Sequence, residues 1–130
     1  MIPKIGGGCL ISMKQADDKY KTIRCYQDGY VESAGSTLIN YYNTPEKVEE
    51  LLSLGDIISL GQTIDSTVAC DRDTDEPLIE RVFDSFADLF DYYEVGIPVY
   101  LYVFDHGTWF MSLFHDVMIR EVSFWMEMSD

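Results

Sequence analysis

The stretch Val99-Tyr100-Leu101-Tyr102-Val103-Phe104-Asp105-His106-Gly107-Thr108-Trp109-Phe110-Met111-Ser112-Leu113 decides the fold class. Two β-prone, aromatic runs flank Asp105-His106-Gly107, a turn signature that folds such runs into an antiparallel hairpin. Their apolar character on both faces places this hairpin near the middle of a sheet. Working outward, Cys9 to Met13 and Tyr20 to Tyr26 are two more β-prone stretches, separated by the polar segment Lys14 to Lys19, and read as a second hairpin. Thr67 to Cys70 and Leu78 to Phe83 flank a polar loop and predict a third.

Helices fill the intervals. Thr44 is a good N-cap, Pro45 suits the first helical position, Val48, Leu51 and Leu52 form an apolar stripe, and Gly55 can end it. These signals predict a helix over Thr44 to Leu54. Val31, Ala34, Gly35, Leu38, Ile39 and Tyr42 follow a three-to-four residue spacing that predicts a short helix broken at Asn43. Ser85, answered by Asp88 at the third position, starts another through Tyr93, with Phe86, Leu89, Phe90 and Tyr93 inward. Asp56 to Asp65 reads as turn-rich with one short extended piece, and Val117 to Met126 as an edge strand or a short helix. The sum is a single α+β domain over residues 1–130: a mainly antiparallel sheet of about five or six strands with two to three short helices.

A chain of 130 residues, with 47% hydrophobic and 14% aromatic content, can bury roughly two thirds of its unfolded surface in one core. Its 23 acidic and 9 basic residues give a net charge of -14, which repels nucleic acid and anionic membranes and attracts basic surfaces. Solubility alone also accounts for acidity, though this excess is large for so small a domain. Cys9, Cys25 and Cys70 are odd in number and widely spaced, so they read as reduced, mostly buried thiols rather than as a zinc site. No run approaches the roughly 18 apolar residues of a membrane span, and the N-terminal residues lack the apolar stretch of a secretory signal. The expected address is the cytoplasm.

No constellation spells out a reaction. His106 and His115 have no companions at ligand spacing, and a turn histidine such as His106 needs only a local explanation. Asp71, Asp73 and Asp75 imitate the first half of a calcium loop. Glu76 and Val82 stand where that loop requires glycine and glutamate. With neither a nucleophile elbow nor a phosphate loop, no catalytic residue, metal or cofactor is expected.

The prominent feature is acidic: Asp71, Asp73, Asp75, Glu76, Glu80, Asp84, Asp88, Asp91 and Glu94 against only Arg72 and Arg81. Carboxylates two residues apart on a strand lie about 6.7 Å apart, close to twice the axial step of about 3.4 Å between phosphates of one DNA strand. Such a row can imitate a phosphate backbone, with Tyr92 and Tyr93 adding aromatic contact. A solvated loop and helix face is the plainer reading. A second feature, Asp28-Gly29-Tyr30, turns from a strand toward a helix. It could frame a small-ligand pocket with Lys19, Lys21 and Arg24 nearby, or be a plain connection.

The run Ile23-Arg24-Cys25-Tyr26-Gln27-Asp28-Gly29-Tyr30, then Gly35, Leu38, Tyr42, Lys47-Val48 and Leu54-Gly55-Asp56-Ile57-Ile58-Ser59-Leu60-Gly61, resembles a widespread group of small phage and prophage proteins. Those read Tyr-Cys-His-x-Asp-Gly-Tyr-Pro, a helix ending in His-Tyr, then Leu-Gly-Asp-x-Ser-x-Leu-Gly. Thr67-Val68-Ala69 with Arg72-Asp73 and Glu76 resembles their Ala-Tyr-x-Arg-Asp-Arg-Gly-Glu hairpin, and Tyr100 to Phe110 their closing one. The resemblance covers roughly residues 10 to 112 and implies phage origin and a shared fold rather than a mechanism. Departures fall at Tyr26 and Tyr41, in place of the group's histidines, at Val31 in place of its proline, and at Thr74-Asp75 in place of Arg-Gly.

The expectation is therefore a binding protein rather than an enzyme. It would be a phage-encoded anti-defence inhibitor, of anti-CRISPR or antirestriction type, laying Asp71 to Glu94 on a basic nucleic-acid channel of a host protein. The alternative is a protein that sequesters a signalling nucleotide near Asp28, Gly29 and Tyr30. Aromatic residues near the C terminus, such as Trp125, could support a homodimer.

Overall fold

The computed structural model describes residues 7–70, 81–96, 98, 100–113 and 120–122. The aromatic hairpin forms as expected: β6 (Tyr100–Asp105) and β7 (Thr108–Leu113) pair antiparallel across the turn. His106 (φ 48) and Gly107 (φ 80) both take positive φ, the backbone that a tight two-residue turn between twisted strands demands. The N-terminal hairpin also forms, from β1 (Cys9–Lys14) and β2 (Tyr20–Cys25), in register from Cys9 opposite Cys25 to Lys14 opposite Tyr20. β1 lies parallel to β6, so the two hairpins join into one sheet with β1 at its middle and β6 beside it.

The remaining strands are two or three residues long. They are β3 (Ile57–Ser59), β4 (Val68–Ala69), β5 (Arg81–Phe83) and β8 (Arg120–Glu121), and the order is β4-β3-β2-β1-β6-β7-β8. β5 adds a branch, because β2 offers one edge to two partners. Its Cys25 end pairs parallel with β3, and its Tyr20 to Thr22 end pairs antiparallel with β5. The expected third hairpin, Thr67 to Cys70 with Leu78 to Phe83, falls partly outside the described residues. Among the described residues β4 pairs with β3 and β5 with β2, rather than with each other. Residues 71–80 lie outside the described residues. β8 pairs with β7, resolving the tail's ambiguity over Arg120–Glu121 in favour of a short edge strand.

Side-chain alternation sends the two faces of the sheet to different helices. Cys9, Ile11, Ile23, Cys25, Tyr100, Tyr102 and Phe104 face a π-helical turn (Val31–Gly35), α1 (Ser36–Tyr41) and α2 (Pro45–Leu52), whose Val31, Leu38, Val48, Leu51 and Leu52 are buried. The expected single helix from Val31 is therefore split, its first turn wound wider than the rest. Leu10, Leu101 and Val103 face α3 (Phe86–Val95) through Leu89, Phe90 and Tyr93. Each fully buried leucine on either side contributes roughly 1.5–3 kcal/mol. Both expected caps are made: Thr44 Oγ1 accepts the Lys47 N–H, and Ser85 Oγ the Asp88 N–H at 3.1 Å. Polar ties fix the layers, the Trp109 indole N–H donating to the Tyr42 carbonyl (2.8 Å) and the Tyr93 hydroxyl to that of Ser112 (3.2 Å).

Candidate functional site

The α3 helix presents the described part of the acidic stripe. Its inward positions are spent on the core, so Asp88, Asp91, Tyr92, Glu94 and Val95 are left on the outside, with Asp84 exposed just before the helix. Asp84 lies 3.8 Å from Lys19 in a solvent-exposed pair worth little. Among the described residues no cation pairs with Asp88, Asp91 or Glu94. Asp88 suits the helix N-terminus, but Glu94 sits in the last turn, where no basic residue offsets the carbonyl ends of the helix. That placement costs the isolated helix a few tenths of a kcal/mol. Tyr92 is 38% exposed, one side of its ring resting on Phe83 and near the Arg81 guanidinium. Asp71, Asp73, Asp75, Glu76 and Glu80 lie outside the described residues.

The base of that segment is anchored by an ion pair absent from the sequence reading. Arg81 donates to both oxygens of Asp56, at 2.6 and 2.8 Å, and Asp56 Oδ1 also accepts the Arg24 N–H at 2.9 Å. Asp56 thereby fills the interval on the β2 edge between β3 and β5, taking the N–H that neither strand reaches. Burial alone would raise the Asp56 carboxyl, but the hydrogen bonds from Arg81 and the Arg24 N–H outweigh it and hold it below the ordinary carboxylate range. The Arg81 guanidinium is held above its usual value, first by the Asp56 hydrogen bond. Arg24 lies over the exposed Tyr26 ring at 4.5 Å, and its Nε is buried without a hydrogen-bond partner among the described residues. The sequence signal was an aspartate just after the helix-ending Leu54-Gly55, which carries no information about a partner 25 residues away.

The turn Asp28-Gly29-Tyr30 is packed rather than open at its centre. Asp28, not Gly29, takes the left-handed backbone (φ 54). Gly29 is required for space, since a Cβ there would lie 2.7 Å from the backbone carbon of Gly8. The Gly29 N–H donates to Gly7, and the Gly29 carbonyl accepts the buried Tyr102 hydroxyl at 2.6 Å. Tyr30 is partly buried against the core beneath α1 and α2, and its carbonyl receives the Ser33 and Ala34 N–H groups. Lys21 is engaged with Glu49 at 3.6 Å.

A cleft of about 350 Å³ opens elsewhere, between the end of α1, α2 and the loop after β3. Tyr41 forms an exposed aromatic wall, and Asn40, Lys47, Glu50 and Gln62 add polar groups over Ile64. The loop is held by the Tyr42 hydroxyl on the Gly61 carbonyl (2.9 Å) and by mutual bonds of Thr63 and Ser66. Sequence reasoning did not single this cleft out, because its walls come from three separate segments. Lys47 and Glu50, three apart on α2, were its one local trace. His106 stands exposed in its turn with its ring on Asp105, a local contact; His115 lies outside the described residues.

Comparison with family models, with characterised proteins and with solved structures gives no match. Among the described residues no helix is long and apolar enough to cross a membrane.

Proposed function

We propose that this protein acts by binding, as a phage-encoded anti-defence inhibitor that lays an acidic surface on the basic nucleic-acid channel of a host complex, of CRISPR or restriction type. The observation that carries the reading is the outer face of α3. Asp88, Asp91 and Glu94 are exposed and lack cationic partners among the described residues, beside a half-exposed Tyr92. Exposed carboxylates around an aromatic contact suit an arginine-rich and lysine-rich partner, because attraction steers encounter while the tyrosine supplies apolar contact area. Asp71, Asp73, Asp75, Glu76 and Glu80 extend the same charge in sequence. Competition for the channel would be steric and electrostatic and would need no catalytic residue.

The test is capture from a bacterial host lysate on the immobilised protein, washed with rising salt. A nucleic-acid-handling complex should be retained and then released by moderate salt. The variant Asp84→Asn/Asp88→Asn/Asp91→Asn/Glu94→Gln should lose at least about tenfold in affinity for it, about 1.4 kcal/mol. Retention that is indifferent to both salt and the variant would reject the proposal. A second reading, capture of a small polar ligand, is favoured by the Tyr41 cleft rather than by Asp28-Gly29-Tyr30, since the former has volume and the latter is filled. A nucleotide carried through purification would move the assignment there.

A further inference from the structure

We infer that Cys9 and Cys25 form a covalent modification site, at which hydrogen peroxide converts the two thiols into one cross-strand disulfide. The two residues are direct partners in the β1–β2 register and belong to the same buried cluster, so their side chains leave the sheet on one face. The Tyr26 N–H reaches Ile57, and the Arg24 N–H reaches Asp56, both on the β3 side. The peptide groups of Cys25 are therefore turned toward β1, which makes Cys9–Cys25 a hydrogen-bonded pair. Such pairs hold their Cα atoms about 5.5 Å apart, inside the 4.4–6.8 Å that disulfides bridge. Opposed Cβ atoms of such a pair stand about 4.5–5.5 Å apart against the roughly 3.5–4.5 Å of a disulfide, so the rung draws in slightly as the sulfurs join.

Both thiols are buried, but the pair is the last rung of its ladder. Gly7 and Gly8 precede it, and the exposed Tyr26, Gln27 and Asp28 follow. The rung is also held by Tyr100 beside Cys9, by Ile57 beside Cys25 and by the Gly29 N–H on Gly7, so peroxide enters through brief local openings, which cost less than global unfolding. The two sulfurs are also unequal. A hydrogen bond from Cys9 lowers the Cys25 thiol, while the same contact, followed by burial, raises Cys9. Cys25 is thus the attacking sulfur and Cys9 the resolving one.

The Cys25 sulfur takes one peroxide oxygen as the O–O bond breaks, leaving a sulfenic acid, and the other oxygen departs as water with the thiol proton. The Cys9 sulfur then displaces the hydroxyl, forming the S–S bond and releasing a second water. Two thiols are oxidised and one peroxide is reduced.

The experiment uses the full chain with Cys70→Ser, treated with hydrogen peroxide under native conditions, then denatured and alkylated. A monomer lighter by two hydrogen atoms, with no alkylated thiol and recovery of both on adding dithiothreitol, is expected. Two thiols still open to alkylation, oxygen added to either sulfur without a cross-link, or a cross-link between chains would each overturn the assignment. The unmodified sequence guards against a folding defect of the variant. Proteolytic mapping after the same treatment must join Cys9 to Cys25, and a bridge to Cys70 would overturn it equally.

Discussion

The two faces of the sheet are built to different standards. Beneath α1 and α2, Cys9, Ile11, Ile23, Cys25, Tyr100, Tyr102, Trp109 and Met111 interlock with three helical segments, and their polar atoms close on backbone carbonyls. Beneath α3 the described cluster is smaller, and it runs out at a shallow cleft of about 240 Å³ among Tyr20, Phe86, Val103, Asp105 and Phe110. Ser12 and Thr22, which alternate with Ile11 and Ile23 and so share the face of Leu10, form a buried hydroxyl pair there at 2.9 Å. One face is a foundation, and the other carries an acidic helix held, among the described residues, mainly by a single apolar stripe and the Tyr93 hydroxyl on the Ser112 carbonyl. A surface that must meet a partner is commonly placed on such lightly buried elements, because the low-stability end of a fold is where adjustment costs least.

Truncation tests that contrast most strongly. Leu51→Ala beneath α2 should cost about 3–5 kcal/mol, and Leu89→Ala beneath α3 about 2–3 kcal/mol, since neighbours beside an open cleft can relax into the space. Chemical denaturation of both variants measures the difference. Equal losses would mean the two faces are packed alike.

The seam between the α3 side and the sheet comes next. Asp56→Asn should cost about 2 kcal/mol at neutral pH, by loosening the Arg81 fork and the bond to the Arg24 N–H. The Asp56 carboxyl is held below its unfolded value of about 4. Its contribution is therefore complete above about pH 4 and is lost as pH falls through the lower folded value. The gap between parent and variant should narrow on acidification, and a gap that stays constant down to pH values of about 2 would remove the ion pair from the account.

The smallest effect sharpens the comparison from the other side. Asp88→Asn, Asp91→Asn and Glu94→Gln should each change stability by less than about 0.5 kcal/mol, with Glu94→Gln on the favourable side, where it relieves both the helix end and the net charge. A loss above about 1 kcal/mol for any of them in thermal or chemical unfolding would make that carboxylate structural and weaken its assignment to a partner.

How much of this was legible follows from the range of each interaction. The Thr44-Pro45 start, the Ser85-to-Asp88 cap and the His106-Gly107 turn involve atoms within three residues of one another, so the local sequence specifies them. The inward set Leu89, Phe90 and Tyr93 followed from helical spacing in the same way. The pairing of Arg81–Phe83 with β2 did not follow, because a β-prone run beside a polar loop looks the same whichever strand it joins. The Asp56–Arg81 fork and the Tyr41 cleft were illegible for the same reason. Of the candidate site, the charge and its helical part could be read, but the packing that fills Asp28-Gly29-Tyr30 could not.

By itself, then, the sequence determined the α+β class, the capped helices, the two long hairpins and a large negative charge, all of which rest on local backbone preferences, alternation or composition. Only the tertiary structure decided the parallel joining of β1 to β6, the sharing of the β2 edge by β3 and β5, and the close crossing of Gly8 on Gly29. Those features depend on which distant segments bury one another's apolar faces and satisfy one another's peptide groups, a choice made by the whole chain at once.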